Sequence, residues 1–173
     1  MEQPFLKMYD YHVWANKRVL EKLKEIPEEI LQQEIQSVFP TILDAVGHTY
    51  RVDVSWLYVM MGKSFNEIMT LMGEVSEKIK TMTLADFENA YQSVANQYGE
   101  FFASLGYNDQ PVMTDHPQFG KLETTVSELV QHVSNHGTYH RGNITAMSRQ
   151  LGYPGASTDY IFYLYDKPKE EAR

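Results

Sequence analysis

The chain has 173 residues, of which 43% are hydrophobic and 13% aromatic, enough apolar side chain for one domain with a sizeable core. Its 15 Lys and Arg residues against 23 Asp and Glu residues give a formal net charge of −8, which argues against nucleic acid or anionic lipid as a partner. Cysteine is absent, so thiolate nucleophiles and cysteine-bound metals are excluded, and any metal has to be held by His, Asp or Glu.

Apolar residues recur at helical spacing in four long segments, and no stretch alternates convincingly with period two, so we predict an all-α fold. The first helix runs from about Phe5 to Ile26 and ends at Pro27, which cannot continue a helix. The second begins around Pro40, a residue tolerated at a first helical position, and runs to Gly62.

The other two helices begin with capping signals. The third opens at Thr83, with Asp86 three residues on to complete a capping box, and stops at Gly106. The fourth opens in the same way at Thr125 and runs to Gly152. Four helices of about 20 to 27 residues predict a four-helix bundle.

The segments outside the helices complete the domain. Residues 27–39, 63–82 and 107–123 are predicted as connections, and because they exceed the roughly two to eight residues of helix hairpins we expect at least one crossover. The aromatic segment 159–165 is expected to pack on the bundle, closing a single domain of residues 1–166, and residues 167–173 are predicted as a solvated tail.

Two histidines on the fourth helix occupy positions that its spacing assigns to the core. That core stripe is Val126, Leu129, Val133, His136, His140, Ile144, Met147 and Leu151. A buried imidazole needs partners for both ring nitrogens, so two of them in place of aliphatic residues cost stability. His136 and His140 lie one turn and about 40° apart, where two imidazoles can reach a single ion. The alternative is a pair of core histidines, each hydrogen-bonded to a facing group.

A third ligand has to be one of the remaining histidines. His48 fits best because it shares the inward side of the second helix with Ala45, Val52, Trp56 and Val59. His12 is expected at the core boundary and His116 in a solvated loop. His132 would have to reach two turns along its own helix, so we expect it to line or support the site instead.

Several nearby residues have two interpretations. Asp44 either orients the His48 ring or is a plain exposed acid, which is the favoured interpretation. Arg141 either faces an anionic substrate or, as favoured, forms a surface salt bridge, and Gly142 either admits a neighbouring helix or is merely tolerated. An aromatic cluster on the first helix is either core or the roof of a pocket: Tyr9, Tyr11 and Trp14.

Three segments resemble the DinB family of bacterial proteins, in particular its Bacillus-type members. They are Tyr-His-Val-Trp-Ala-Asn at 11–16, Ala-Val-Gly-His-Thr-Tyr at 45–50 and Asn-His-Gly-Thr-Tyr-His-Arg-Gly at 135–142. The resemblance implies a four-helix bundle with up-down-down-up connectivity, together with a divalent metal held by three histidines. At the matching positions these are His48, His136 and His140, with no departure from the pattern.

Three imidazoles without a fourth protein ligand leave an open position for water or substrate, which is typical of a catalytic site. Zinc and nickel both suit imidazole ligands. Transferases that use a low-molecular-weight thiol are similar proteins in the wider superfamily, and a chain without cysteine has to borrow its sulfur nucleophile. We therefore favour a metal-dependent thiol transferase acting on small electrophiles. The alternatives are a metal-dependent hydrolase and a non-catalytic bundle that binds small molecules.

The expected partners follow from the same observations. Residues 1–18 do not combine a basic start with an apolar run, and no stretch reaches about 18 apolar residues, so we expect a cytoplasmic protein without membrane contact. The resemblance also implies a homodimer and a role in stress response or detoxification. Walker-type loops, GxSxG elbows and HExxH pairs are absent from the sequence. This argues against the commonest classes of nucleotide-binding protein and hydrolase.

Overall fold

The computed structural model describes residues 3–170, which form seven helices and one two-stranded hairpin. The elements are α1 (Pro4–Leu23), α2 (Glu28–Leu31), α3 (Ile42–Met60), α4 (Phe65–Ile79), α5 (Leu84–Ser104), β1 (Pro111–His116), β2 (Gly120–Thr125), α6 (Val126–Gln150) and α7 (Tyr160–Glu170). The four predicted helices correspond to α1, α3, α5 and α6, and the predicted all-α class is confirmed, with the hairpin as a small addition.

Helices α1 and α6 run parallel. The Ser134 hydroxyl donates to the carbonyl of Met8 over 3.3 Å, and Arg141, two turns further along α6, donates to the Asn16 side chain two turns further along α1. The residue numbers of both helices therefore increase in the same direction along this contact.

Helices α3 and α5 also run parallel, because Tyr91 donates to the carbonyl of Val46 and Tyr98, seven residues on, donates to the carbonyl of Asp53. Helices α3 and α6 are antiparallel, as shown by two ring contacts: His48 with His140, and Trp56 with His132. Tyr9, near the start of α1, packs on Tyr98 and Phe102 near the end of α5, so these two helices are antiparallel as well. The up-down-down-up connectivity is thus confirmed.

The crossover between the parallel helices α3 and α5 is itself helical. Segment 63–82, predicted only as a connection, contains α4, which begins with a complete capping box between Ser64 and Glu67. It buries Ile68, Met72 and Val75 at spacings of four and three residues. These local signals are present in the sequence, so the helix was predictable.

The connection between α5 and α6 is a β-hairpin in which β1 and β2 pair antiparallel from Pro111 opposite Thr125 to His116 opposite Gly120. The expectation of no strand is wrong here. Val112 is buried, whereas the apolar side chains of Met113 and Leu122 are exposed, so the hairpin lacks the alternating apolar pattern by which strands are recognised.

The predicted helix starts are correct to within two residues. The capping box of Thr83 and Asp86 is present. Helix α3 begins after Thr41, whose side chain accepts from the Asp44 amide, and not at Pro40. At α6 the Thr125 side chain accepts from the Glu128 amide, while the Glu128 carboxylate accepts from the neighbouring Thr124 hydroxyl, so only half of the second box forms.

The C-terminal segment forms α7, which packs on α1. Tyr163 is buried against Tyr11 and Trp14, as expected, but its neighbours on α7 are largely exposed. The helix continues past residue 166 into the predicted tail: the Lys167 amine and the Tyr163 hydroxyl both donate to Asp10. Positions 171–173 of that tail lie outside the described residues.

Buried apolar residues form two main groups along the bundle, separated by what we call the polar layer: His12, Asn16, Asp53 and Arg141. On α1 one apolar group precedes His12 and the other follows Asn16, and on α6 the groups lie before residue 134 and after Arg141. The layer therefore lies at mid-height of the bundle. None of the helices within residues 3–170 is long and apolar enough to cross a membrane.

Candidate metal centre

The antiparallel packing of α3 and α6 brings three histidines together at mid-height. His48 lies in the middle of α3, and His136 and His140 lie one turn apart on the face of α6 that packs on it. Nε2 of His136 is 3.3 Å from Nε2 of His48 and 3.1 Å from Nε2 of His140. One ligand atom from each ring lies within 4.8 Å of the other two, so a single metal ion can be reached by all three.

Phe39, from the connection before α3, covers part of this cluster. Its ring centroid is 5.1 Å from that of His48 and 5.4 Å from that of His140. His140 is buried, while His48 and His136 are half-buried and border solvent. The three rings therefore have an apolar cover on one side without being sealed from small molecules.

Burial keeps the three imidazoles neutral at physiological pH. It lowers the pKa of His136 from 6.5 to about 4, and the adjoining rings of His140 and His48 add to this effect. Burial also lowers the pKa of His48 and of His140. Neutral imidazole has the free lone pair that binds a metal, so the surroundings favour the ligating form.

The three rings cannot fully satisfy one another by hydrogen bonds. If His136 accepts at Nε2, its single lone pair there serves one neighbour, and its own proton is on Nδ1, which is buried and has no partner. If it donates from Nε2, only one neighbour can accept. A cation among the three Nε2 atoms would use every lone pair, and an all-imidazole donor set suits zinc or nickel, so the residues present fit a divalent metal.

The structure places the other histidines elsewhere. His12 was expected at the core boundary but is only 1% exposed, with Nε2 2.9 Å from the Asp53 carboxylate. His116 was expected in a solvated loop but ends β1, half-buried, where its ring accepts from the backbone amides of the turn and packs against Phe65. His132 is exposed, with its ring 6.1 Å from that of His136, so it lines the edge of the cluster.

Asp44 is exposed and accepts a hydrogen bond from the Thr41 hydroxyl at the start of α3. The plain interpretation of an exposed helix acid therefore holds. Sequence reasoning missed the polar group that does approach a ligand ring: the Asn143 amide nitrogen is 3.3 Å from Nδ1 of His140. Rotation of the amide would place its oxygen there to accept from a ring N–H.

Arg141 is buried, contrary to the favoured interpretation of a surface salt bridge. Its side chain is 2% exposed and donates to the Asn16 side chain and the Thr138 hydroxyl, each over 2.8 Å. It also stacks over the ring of Tyr11. The reason is that α6 is buried on two sides: His136 and His140 face α3, while Arg141, about 100° around the helix, faces α1.

The glycine that allows close helix packing is Gly137, and not Gly142. A Cβ at Gly137 would lie 2.5 Å from the His12 ring and 2.6 Å from the Arg141 guanidinium, whereas a Cβ at Gly142 would meet nothing within 4 Å. Gly142 is thus merely tolerated. Gly137 lets α1 approach α6 directly beside His136, a role that the spacing of the sequence did not reveal.

The aromatic cluster of α1 belongs to the core. Tyr9 stacks on Tyr98 with ring centroids 4.3 Å apart, and Tyr11 and Trp14 pack against Tyr163 of α7. None of these three α1 side chains contacts the histidine cluster in the described contacts, so they do not roof it, and Tyr9 instead also lines a cavity between α1 and α5.

Comparisons with known proteins cover the helices that form this site. A family model described as the DinB family matches residues 1–172 of the chain. A protein of Bacillus subtilis (strain 168) named Protein DinB is 42% identical over 166 residues, which is 96% of each of the two chains. The matched range includes α3 and α6, the helices that carry the three histidines.

Proposed function

The chain belongs to the DinB family, and from this premise we propose that it is an enzyme that holds one divalent ion, zinc or nickel, through His48, His136 and His140. The proposed reaction is the transfer of a low-molecular-weight thiol to a small electrophile. A carbon–sulfur bond forms, the thiol loses its proton, and the electron pair displaced from the electrophilic carbon leaves with the departing group or takes up that proton.

The convergence of the three Nε2 atoms carries this proposal. It places three neutral donors around one point and contributes no carboxylate to the set. Three protein ligands leave one coordination position for a further ligand, which distinguishes a catalytic site from a closed structural one. An ion bound here would lower the pKa of a thiol or water in that position.

The side chains around the cluster support binding of a small molecule. Phe39 covers the rings of His48 and His140 and excludes water from that side. The half-buried edges of His48 and His136 leave a route for a substrate. His132, held by the ring of Trp56, adds an aromatic wall on the His136 side.

The choice of a thiol as the nucleophile rests on composition and family. The chain contains no cysteine and therefore supplies no sulfur of its own. A hydrolase would use the same open position for water, and a binding protein would leave it to a ligand. The experiment must therefore separate sulfur from oxygen ligands at that position.

Cobalt substitution makes this distinction. The protein loaded with one Co²⁺ per chain is titrated with small thiols, and we expect a sulfur-to-cobalt charge-transfer band in the near ultraviolet together with turnover of thiol-reactive electrophiles. Ester or amide hydrolysis without the band would favour the hydrolase, and no spectral response to any thiol would contradict the transferase proposal. A His136→Ala variant should lose both the visible cobalt spectrum and the response.

A further inference from the structure

A second candidate site lies against the polar layer and apart from the histidine cluster. A cavity of about 310 Å³ opens between α1, α3 and α5, and none of the three proposed metal ligands lines it. Its volume is at the lower end of the range for small-molecule sites, about 300–1,000 Å³. It therefore suits a compact ligand.

The polar layer supplies one wall of this cavity. Asp53 lines the cavity and is 1% exposed, and its Oδ2 is 2.9 Å from Nε2 of His12. Its other oxygen, Oδ1, is buried and has no hydrogen-bond partner. A buried carboxylate oxygen without a donor is costly, so this atom calls for a donor from outside the chain.

The position of the ring proton on His12 decides what kind of group Oδ1 of Asp53 needs as a partner. Nη1 of Arg141 lies 3.4 Å from Nδ1 of His12 and can only donate, which favours a ring proton on Nε2, where the Asp53 carboxylate and the side-chain nitrogen of Asn16 both lie at 2.9 Å. His12 then donates to Oδ2 of Asp53, and the carboxylate remains an acceptor at Oδ1. A ligand that satisfies Oδ1 has to present an N–H or O–H group there.

The other lining residues combine apolar side chains of α1 and α5 with the side chains of Lys17, Asn89 and Gln92. Tyr9 and Tyr91 contribute aromatic side chains, and Leu20 and Val94 contribute aliphatic ones. Aromatic faces attract ammonium groups. Glu88, which also lines the cavity, is paired with Lys24, and the net charge of −8 favours the approach of cations to the chain as a whole.

We propose that this cavity binds small primary amines. The ammonium group donates to Oδ1 of Asp53, and the alkyl part packs against Tyr91, Leu20 and Val94. The site is separate from the proposed metal centre and does not depend on it.

The test uses n-butylammonium as the probe, with n-butanol and butyrate as matched neutral and anionic probes. Metal-free, isotope-labelled full-length protein is titrated in the presence of a chelator, so that the amine cannot act as a metal ligand, and amide chemical shifts are followed by NMR. We expect saturable shifts on α1, α3 and α5 with n-butylammonium and at least about tenfold weaker binding of n-butanol. Equal binding of the alcohol, or no saturable shift with the amine, would overturn the proposal.

Substitutions in and near the cavity test whether the amine binds there. Asp53→Asn keeps the size of the side chain and should weaken amine binding at least about tenfold. Because this change touches the buried layer, Ala95→Leu provides a second variant that fills the cavity from its rim. The exposed Ala103→Leu on the same helix is its matched control. Unchanged amine affinity in Ala95→Leu, or equal loss in Ala103→Leu, would contradict the assignment.

Discussion

His48 and His136 are 88 positions apart in the chain, yet their Nε2 atoms lie 3.3 Å from each other across the α3–α6 contact. With His140 adding a third nitrogen 3.1 Å from that of His136, the cluster joins two helices through groups that pack poorly in the absence of a cation. The thermal stability of the protein should therefore increase when a metal binds to these three histidines.

Metal addition should raise the melting temperature at pH 7.5. At a free Zn²⁺ or Ni²⁺ concentration of about 100 times Kd, the native state gains about 2.7 kcal/mol, or roughly 5–10 °C for a chain of this size. Differential scanning calorimetry of His48→Ala, His136→Ala and His140→Ala should show no such increment. His116→Ala and His132→Ala are the controls, and loss of the increment in His132→Ala alone would mean that the third ligand is misassigned.

The metal-free protein should lose stability as pH falls from about 6.5 towards 4. The pKa of His136 is lowered by burial to about 4 in the folded chain, so between these values the unfolded chain binds more protons than the native one. The free energy of unfolding therefore rises with pH across this window, by about 1–2 kcal/mol after allowance for the partial exposure of the ring. Urea titrations at several pH values measure it, and His136→Ala should flatten the profile.

The metal-dependent increment should fall over the same pH range, because protons compete with the ion for the imidazole lone pairs. Isothermal titration calorimetry from pH 7.5 down to pH 4 should show Zn²⁺ affinity falling most steeply as the pH approaches about 4, the pKa of His136. Affinity that does not change with pH would indicate ligands other than histidine.

Gly137→Ala should destabilise the chain by about 1–3 kcal/mol, since the new methyl group would overlap the His12 ring and the Arg141 guanidinium. Gly142→Ala, on the same helix with open space around it, should be neutral or stabilising by up to about 1 kcal/mol. Denaturant unfolding of the two variants compares them directly. Similar effects of both substitutions would contradict the close contact between α1 and α6 at Gly137.

Asn143→Ala should weaken metal affinity by about tenfold or more without changing the number of bound ions, because its amide approaches Nδ1 of His140 and orients that ring. Asn135→Ala is the matched control, an exposed asparagine on the same helix. Competition with a chromophoric chelator gives both affinities. Equal affinities in the two variants would show that Asn143 does not position His140.

The homodimer implied by the family stays a prediction. Exposed apolar side chains on α7, among them Ile161 and Phe162, offer an apolar surface for it. Light scattering at micromolar concentration should give twice the chain mass of 20.1 kDa. A monomer at that concentration would contradict it.

The sequence by itself determined the four bundle helices and the two histidines on one face of α6, because helical spacing and caps act within a few residues. It also selected His48, which shares a partly buried side of α3 with Val52, Trp56 and Val59. The same local signals exist for α4, whose Ser64 cap and apolar spacing were overlooked.

Only the tertiary structure decided how His12, Asp53 and Arg141 are used. Each lies on a different helix, and each could be stable in water on its own, so nothing within a few residues of any one of them indicates burial. Three helices meeting at mid-height bury all three side chains at once, and their hydrogen bonds to one another and to Asn16 offset much of the cost of removing them from water. Partners so far apart in the chain become apparent only when the helices are packed, as does the single carboxylate oxygen of Asp53 that remains without one.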